Sequence, residues 1–285
     1  MGFLKIKRLE VFEALMTGPF GSLLGFSKGK VELETADGKK FTINNSLQKF
    51  GLMVVGIPHT DMRTRWRMIH KYLPIDGEIF DAGCGIGMNS LEIIDDYFSH
   101  NEYPMKYAFV TGADISKEKI ATANKLYESL PITNCKFEHG DITKLKYKDS
   151  SFDNIVCSDV LEHVKDDQSA INEIARVLRK SGKAVFTFPH VNKHNTETMK
   201  EFGHVRPGYT IESFRAKAKK AGLTLTKKEA YTYSFGKASW AINSWSFKCG
   251  PLAAALFYPI YLLTFLDKLF PIGSPNGLCI VAEKI

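Results

Sequence analysis

The stretch IFDAGCGIGMNS, residues 79–90, decides how the chain is read. An apolar run ends in an acid, Asp81. Three glycines follow, Gly83, Gly85 and Gly87, and a helix-like pattern begins after them. A strand that feeds a glycine turn and then a helix is the opening unit of a nucleotide-binding α/β fold. The dinucleotide fingerprint G-x-G-x-x-G would need glycine at Met88, but here the third glycine comes one residue early. Asn89 and Ser90 stand where a P-loop would place its lysine and hydroxyl. An acid two residues before the turn would repel a pyrophosphate and attract an ammonium group.

Outward from this turn, helix and strand patterns alternate. RTRWRMIHKYL reads as a helix, EIFDAG as a strand and MNSLEIIDDYF as a helix. YAFVTGADI, NCKFEHGD, FDNIVCSDV, GKAVFTFPH and LTLTKKEAYTYSF read as strands. KEKIATANKLYESL, QSAINEIARVLRK and IESFRAKAKKAGL read as helices between them. Strands and helices alternating at this spacing predict a doubly wound, Rossmann-like, mostly parallel sheet. Ligands of such sheets sit at the carboxyl ends of the strands, near the switch point.

Two more acids end neighbouring strands. Asp114, in TGADIS, lies 27 residues after Gly87, and the connection SHNEYPMK accounts for the extra length over the usual spacing. A carboxylate there can accept from both hydroxyls of a ribose. Asp141, in HGDI, can accept from an adenine amino group. Three strand-end carboxylates suit a ligand with an ammonium, a ribose and an adenine but no phosphate, and S-adenosylmethionine fits that description.

In chain order DAGCGIG, ADIS, HGDI, FDNIVCSDVLEHV and RVLRKSGKAVFTFPH resemble a class I S-adenosylmethionine-dependent methyltransferase of the type 11 kind, over roughly residues 63–235. The resemblance implies a seven-stranded sheet with an antiparallel last strand, for which GLCIVAEKI at the C-terminus has the length and pattern. It implies that Asp81, Gly83, Gly85 and Gly87 contact the methionine end of the cofactor. Asp114 and Ile115 would hold ribose and adenine, Asp141 and Ile142 the adenine, and Ser158 would line the pocket floor. Transfer would be an in-line displacement at an electrophilic methyl group, with the protein supplying alignment, shielding from water and sometimes a base.

Candidate bases follow the fourth and fifth strands of that pattern: Asp159, Glu162, His163, His190, His194 and His204. His190, directly after Pro189, is the preferred base and His163 the second; a structural role stands beside each. Asp159, Glu162 and His163 form D-x-x-E-H, similar to a magnesium-binding E-x-x-E-H of ubiquinone-pathway O-methyltransferases and of a small-RNA methyltransferase family. Aspartate replaces the first acid, and LEHV is common in methyltransferases without metal, so no metal is expected.

Composition is ordinary for a globular chain of 285 residues, with 44% hydrophobic and 24% charged residues. The net charge of +7 is too modest to imply nucleic acid. No N-P-P-Y-type motif follows the fourth strand and no RNA-binding module is visible, so nucleic acid is not an expected partner. Between Arg176 and Glu229 thirteen Lys and Arg face four Glu and no Asp, which reads as a solvated face or as a patch for anionic lipid or phosphate. The five cysteines show no paired spacing, which argues for a reducing, cytoplasmic setting. The N-terminus shows no secretory pattern.

Two additions flank this core. Residues 1–62 read as an N-terminal segment with an amphipathic helix and a hairpin around Ala36-Asp37-Gly38, and residues 63–285 as the catalytic domain. Before the last strand, about residues 240–275 form a hydrophobic helical insertion, with 18 uncharged residues between Lys248 and Asp267. Pro251 and Pro259 interrupt this run, and a membrane crossing would separate GLCIVAEKI from its sheet, so a span is not expected. An apolar lid and a peripheral contact with the inner membrane face stand as equal readings. Both point to a hydrophobic or lipid-linked small-molecule acceptor. Two other functions remain open, a non-catalytic S-adenosylmethionine-binding scaffold and a methyltransferase of a soluble glycan or metabolite.

Overall fold

A computed structural model describes residues 31–34, 40–43, 60–90, 93, 108–128, 133–201, 203–246 and 262–284. Strands β1 (Val31–Glu34) and β2 (Lys40–Ile43) pair antiparallel, with Val31 opposite Ile43, as the hairpin signal predicts. The expected N-terminal amphipathic helix lies outside the described residues. Helix α1 (Thr60–Tyr72) precedes strand β3 (Glu78–Ala82). Then come β4 (Phe109–Asp114), α2 (Lys117–Glu128), β5 (Cys135–His139), β6 (Phe152–Ser158) and α3 (Asp167–Val177). The chain continues through β7 (Leu178–Pro189), α4 (Lys193–Thr198), α5 (Ile211–Lys220), β8 (Leu223–Tyr231), α6 (Ser234–Ser246) and β9 (Gly277–Lys284).

Seven strands form one sheet in the order β5-β4-β3-β6-β7-β9-β8. The pairs among β5, β4, β3, β6 and β7 are parallel, while β9 runs antiparallel to both β7 and β8. The chain starts mid-sheet at β3, winds outward to β5 and returns to β6. The switch point therefore lies between β3 and β6, directly after the glycine turn. The C-terminal run GLCIVAEKI takes its expected place, inserted between β7 and β8.

The central parallel strands β3, β4 and β6 are buried along most of their length, so they read as near-continuous apolar runs, whereas edge strand β5 is partly exposed. In the core, Phe186 and Phe188 of β7 meet Phe214 of α5 at ring separations of 4.9 and 4.8 Å. Ala170, Ile171 and Ile174 of α3 join the same cluster. Helix α3 starts where Asp166 accepts from the Ser169 backbone N–H at 3.0 Å, and α5 starts in a capping box between Thr210 and Ser213. The pattern QSAINEIARVLRK predicts a helix through Lys180, but the helix stops at Val177. Leu178 takes extended backbone and pairs with Phe152, so Leu178–Lys180 belong to β7. Burying Leu178 against the sheet outweighs the helical propensity of the Leu-Arg-Lys run.

Two compact units are distinguished. Residues 65–124, 133–231 and 275–285 form the unit that holds the sheet. Residues 1–64, 125–132 and 232–274 form the other. In the second unit, α6 begins at Ser234, earlier than the expected insertion, and a helical stretch occupies 262–269. Asp267, the acid that closes the uncharged run, is buried. Its carboxylate accepts from the backbone N–H groups of Tyr233 and Gly236 at 2.8 Å each and of Phe235 at 3.0 Å, so it satisfies the start of α6 from outside that helix. Among the described residues no helix is long and apolar enough to cross a membrane.

Candidate functional site

The glycine turn is built on backbone that other residues resist. Gly83, Gly85 and Gly87 have φ of +77°, +57° and +85°, in the left-handed region. A Cβ at Gly83 would lie 2.5 Å from the Val160 methyls, whereas one at Gly85 would meet nothing within 4 Å. Gly83 is therefore required by packing as well as backbone. At Gly85 the absent side chain leaves the loop face clear for a ligand's approach. The turn is tied to the end of β4, because Gly83 and Cys84 both donate their backbone N–H to the Ala113 carbonyl, at 2.8 and 3.0 Å.

Asp114 couples these pieces. Its Oδ2 accepts from Gly85 N–H at 3.0 Å and its Oδ1 from Ser116 N–H at 2.8 Å. One bond to each oxygen fixes the carboxylate plane and leaves each oxygen with acceptor capacity for a diol. Ile115 follows with 70% of its surface exposed, as a side chain waiting to cover a flat apolar ring would be. Asp141 accepts on Oδ1 from the Thr143 N–H at 2.9 Å and hydroxyl at 2.7 Å, and the Thr143 backbone bond holds its carboxyl below the usual carboxylate range. Ile142 is buried beside it. Ser158 Oγ shares a 2.8 Å hydrogen bond with Thr187 Oγ1 across β6 and β7.

Asp81 is the unusual member. It is fully buried, its Oδ2 accepts from the Ser90 hydroxyl at 2.7 Å, and its Oδ1 lacks a hydrogen bond. Burial pushes its carboxyl up to about 7, opposed by the Ser90 hydroxyl and reinforced by the Asp114 charge. A buried acid with an unsatisfied oxygen has a strong physical need for a cationic donor. The residues thus fit an ammonium-bearing adenosine compound on three counts: the orphaned Asp81 oxygen, the prepared Asp114 diol acceptor and the open face at Gly85.

The candidate bases separate. Asp159, at φ +53°, forms an ion pair with Arg65 and accepts from Thr187 Oγ1 at 3.1 Å, so its charge is already matched. Glu162, His163 and His204 come together, one ligand-capable atom of each lying within 4.8 Å of the others. His190 stands outside that group at the end of β7. Its backbone N–H donates to the Asn276 carbonyl at 2.9 Å and its carbonyl accepts from Asn195 Nδ2 at 2.7 Å. His194 is exposed on α4. Burial lowers the pKa of His163.

Several contributors were not visible in the sequence. Ser90 reads there only as a neighbour of the absent P-loop lysine, yet its hydroxyl donates to Asp81. Asn89 accepts from Trp66 Nε1 at 3.1 Å. Arg65, on α1, reaches Asp159 across 94 positions of sequence, and no local pattern signals that pair.

A methyltransferase-domain family model matches residues 76–237, more than half of the chain. The protein belongs to that family. The match bears out the resemblance to class I S-adenosylmethionine-dependent methyltransferases. Among curated relatives, an O-methyltransferase of Penicillium expansum is 32% identical over 114 residues, which are 39% of this chain and 38% of that protein. A ubiquinone biosynthesis O-methyltransferase of Coxiella burnetii is 31% identical over 124 residues, 43% of this chain and 48% of that one. The matched stretch therefore spans less than half the length of each. A phosphoethanolamine N-methyltransferase of Haemonchus contortus, solved in complex with S-adenosyl-L-methionine, shares the fold at a TM-score of 0.57 and 18% identity, over 78% of this chain and 52% of that one.

Proposed function

We propose that this methyltransferase-family protein transfers a methyl group from S-adenosylmethionine to a hydrophobic or lipid-linked small-molecule acceptor. The observation that carries the cofactor reading is Asp81, a fully buried carboxylate with an unsatisfied oxygen, set beside a second acid pre-formed to accept a diol. When bound, the cofactor supplies a sulfonium-activated methyl group. Asp81 takes the ammonium, while the glycine turn admits the methionine end against its backbone. Asp114 receives the ribose hydroxyls, Ile115 and Ile142 cover the adenine, Asp141 accepts from its amino group, and Ser158 lines the floor beneath. His190, at the end of β7, is the preferred base for a proton from an oxygen or nitrogen acceptor, and His163, after β6, is the alternative.

The acceptor reading rests on the segment before β9. Leu262, Phe265, Leu269, Phe270 and Ile272 are all exposed there, Leu269 to 70%, with Lys268 among them. Exposed apolar side chains this concentrated mark a contact surface rather than ordinary solvent-facing helix. The basic stretch from Arg176 to Glu229 adds less than its count suggests. Arg176 pairs with Glu173 and Asp149, Arg179 with Asp153, and Arg206 and Lys217 with Asp167, all acids outside that stretch. A lipid-directed role is therefore argued from apolar surface, not from charge.

The test is incubation of the purified chain with methyl-labelled S-adenosylmethionine and fractionated cell extracts. Label in a lipid or apolar fraction supports the proposal. Label confined to soluble glycans or metabolites would replace the acceptor class. Cofactor binding with no labelled product in any fraction would favour a scaffold.

A further inference from the structure

We propose that Trp66 and Asn89 are positioning residues for Asp81: the indole N–H of Trp66 turns the Asn89 amide so that its NH2 group serves the carboxylate reserved for a cationic ligand. Trp66 lies on α1, 23 residues before Asn89, and donates from Nε1 to Asn89 Oδ1 at 3.1 Å. An indole N–H can only donate, so it settles which end of the amide faces it. The amide oxygen is taken by the indole, and the two N–H donors are left for the other side. No local pattern in the sequence marks this pair.

The donor is fixed before any ligand arrives. Trp66 and Ile69, one turn apart on α1, are both buried, so packing holds the indole ring. The preceding residue, Arg65, pairs with Asp159 after β6. Successive side chains of α1 therefore tie both sides of the switch point, one after the glycine turn and one after β6. Asn89 stands at the start of the helical stretch after Gly87, next to Ser90.

Asp81 lies under opposing influences. Its Oδ2 accepts from the Ser90 hydroxyl at 2.7 Å, while its Oδ1 has no hydrogen bond. Burial is the largest influence and raises its pKa, and the Asp114 charge on β4 raises it further. The Ser90 hydroxyl, the Asn89 amide and the Ser90 backbone lower it. Cys84 in the turn and Cys157 on β6 also face Asp81, and burial keeps both thiols neutral by raising their pKa. The Asn89 amide thus favours the charged carboxylate without occupying Oδ1, which stays open to an ammonium group. Without the indole, the amide is free to present its oxygen to Asp81, which would oppose the charge. The purpose of this relay rests on the cofactor reading above; its geometry and its titration do not.

The full chain, carrying carbon-13 at its aspartate carboxyl carbons, is titrated without ligand by nuclear magnetic resonance, with the Asp81 signal assigned by its loss in Asp81→Asn. Asn89→Leu keeps the volume of the amide and removes its donors, and should move the Asp81 midpoint up by about 0.5–1 pH unit. Trp66→Phe keeps a buried ring and frees the amide, and should move the midpoint in the same direction by roughly half as much. Far-ultraviolet circular dichroism should stay unchanged in both; if Trp66→Phe fails to fold, Asn89→Leu carries the test. Calorimetric titration with S-adenosylmethionine gives the second reading. The climb of affinity with pH should move up by the same interval, leaving binding by Asn89→Leu about two- to threefold weaker at pH 7.5. A midpoint that stays in place or falls in a folded variant would overturn the proposal, even if binding weakens equally at every pH, because a purely structural contact would act in that way. A midpoint that rises in a chain that does not bind S-adenosylmethionine would uphold the relay and remove the cofactor reading instead.

Discussion

The rim proposed for the cofactor and the side proposed for the acceptor are built by different means. On the rim, Asp81, Asp114 and Asp141 each stand at or just past a strand end; Asp114 accepts from the backbone N–H groups of Gly85 and Ser116, and Asp141 from that of Thr143. After β6 and β7, on the side proposed for the acceptor, Asp159 is held by Arg65 and Thr187, and Ser158 by Thr187, through side chains 28 to 94 positions apart. Local backbone geometry repeats wherever the same motif occurs, whereas a side-chain network depends on the particular residues that the fold brings together. On the proposed assignment, backbone contacts on the rim suit a ligand common to the family, and a side-chain network suits a particular acceptor.

The largest expected break in this comparison comes from Asp114→Ala. It removes the proposed diol contacts and the acceptor of the Gly85 and Ser116 amides, so S-adenosylmethionine affinity should fall on the order of a hundredfold, about 3 kcal/mol. Calorimetric titration measures it, and unchanged affinity would mean that the ribose lies elsewhere.

Asp81→Asn sharpens the same contrast through pH. The folded carboxyl titrates near 7, above its ordinary value of 3.8. A proton must therefore leave before Asp81 can meet an ammonium group, and cofactor affinity should climb as pH rises towards 7 and then level. The asparagine variant should lose that climb and bind on the order of tenfold more weakly at pH 7.5. Stability shows the matching sign. A raised folded pKa makes the carboxyl's contribution most favourable below about 4 and loses it as pH rises through about 7. The stability gained by Asp81→Asn over the native chain should therefore be larger at pH 8 than at pH 5, as measured by urea denaturation.

In the unit that holds residues 232–274, replacing Leu262, Leu269 and Phe270 together by Ser should leave cofactor affinity unchanged. It should lower acceptor turnover or vesicle co-sedimentation roughly tenfold, since three exposed side chains of this size carry about 1–2 kcal/mol at a partial contact. Equal loss of cofactor binding would tie the segment to the rim. The smallest effect is expected from Asp267→Ala, which strips three amides at the start of α6 and should cost about 1 kcal/mol in denaturant stability.

The same contrast explains what the sequence revealed. The order of strands, the antiparallel GLCIVAEKI strand and the glycine turn were legible because each rests on short-range periodicity or a local backbone need. The end of α3 was misread, since Arg-Val-Leu-Arg-Lys keeps helical periodicity while Leu178 is claimed by pairing with Phe152. Asp267 marks in the sequence only the end of the uncharged run, yet it is buried and accepts from the amides at the start of α6. His204 could not be joined to His163, nor Arg65 to Asp159, because nothing local marks either pair.

The most direct measurement is a side-by-side calorimetric titration of the chain with S-adenosylmethionine and with NAD at pH 7.5. If anionic strand ends choose a cationic, phosphate-free adenosine compound, S-adenosylmethionine binds once per chain and NAD releases no measurable heat. Tighter binding of NAD, or no binding of S-adenosylmethionine, would contradict that choice.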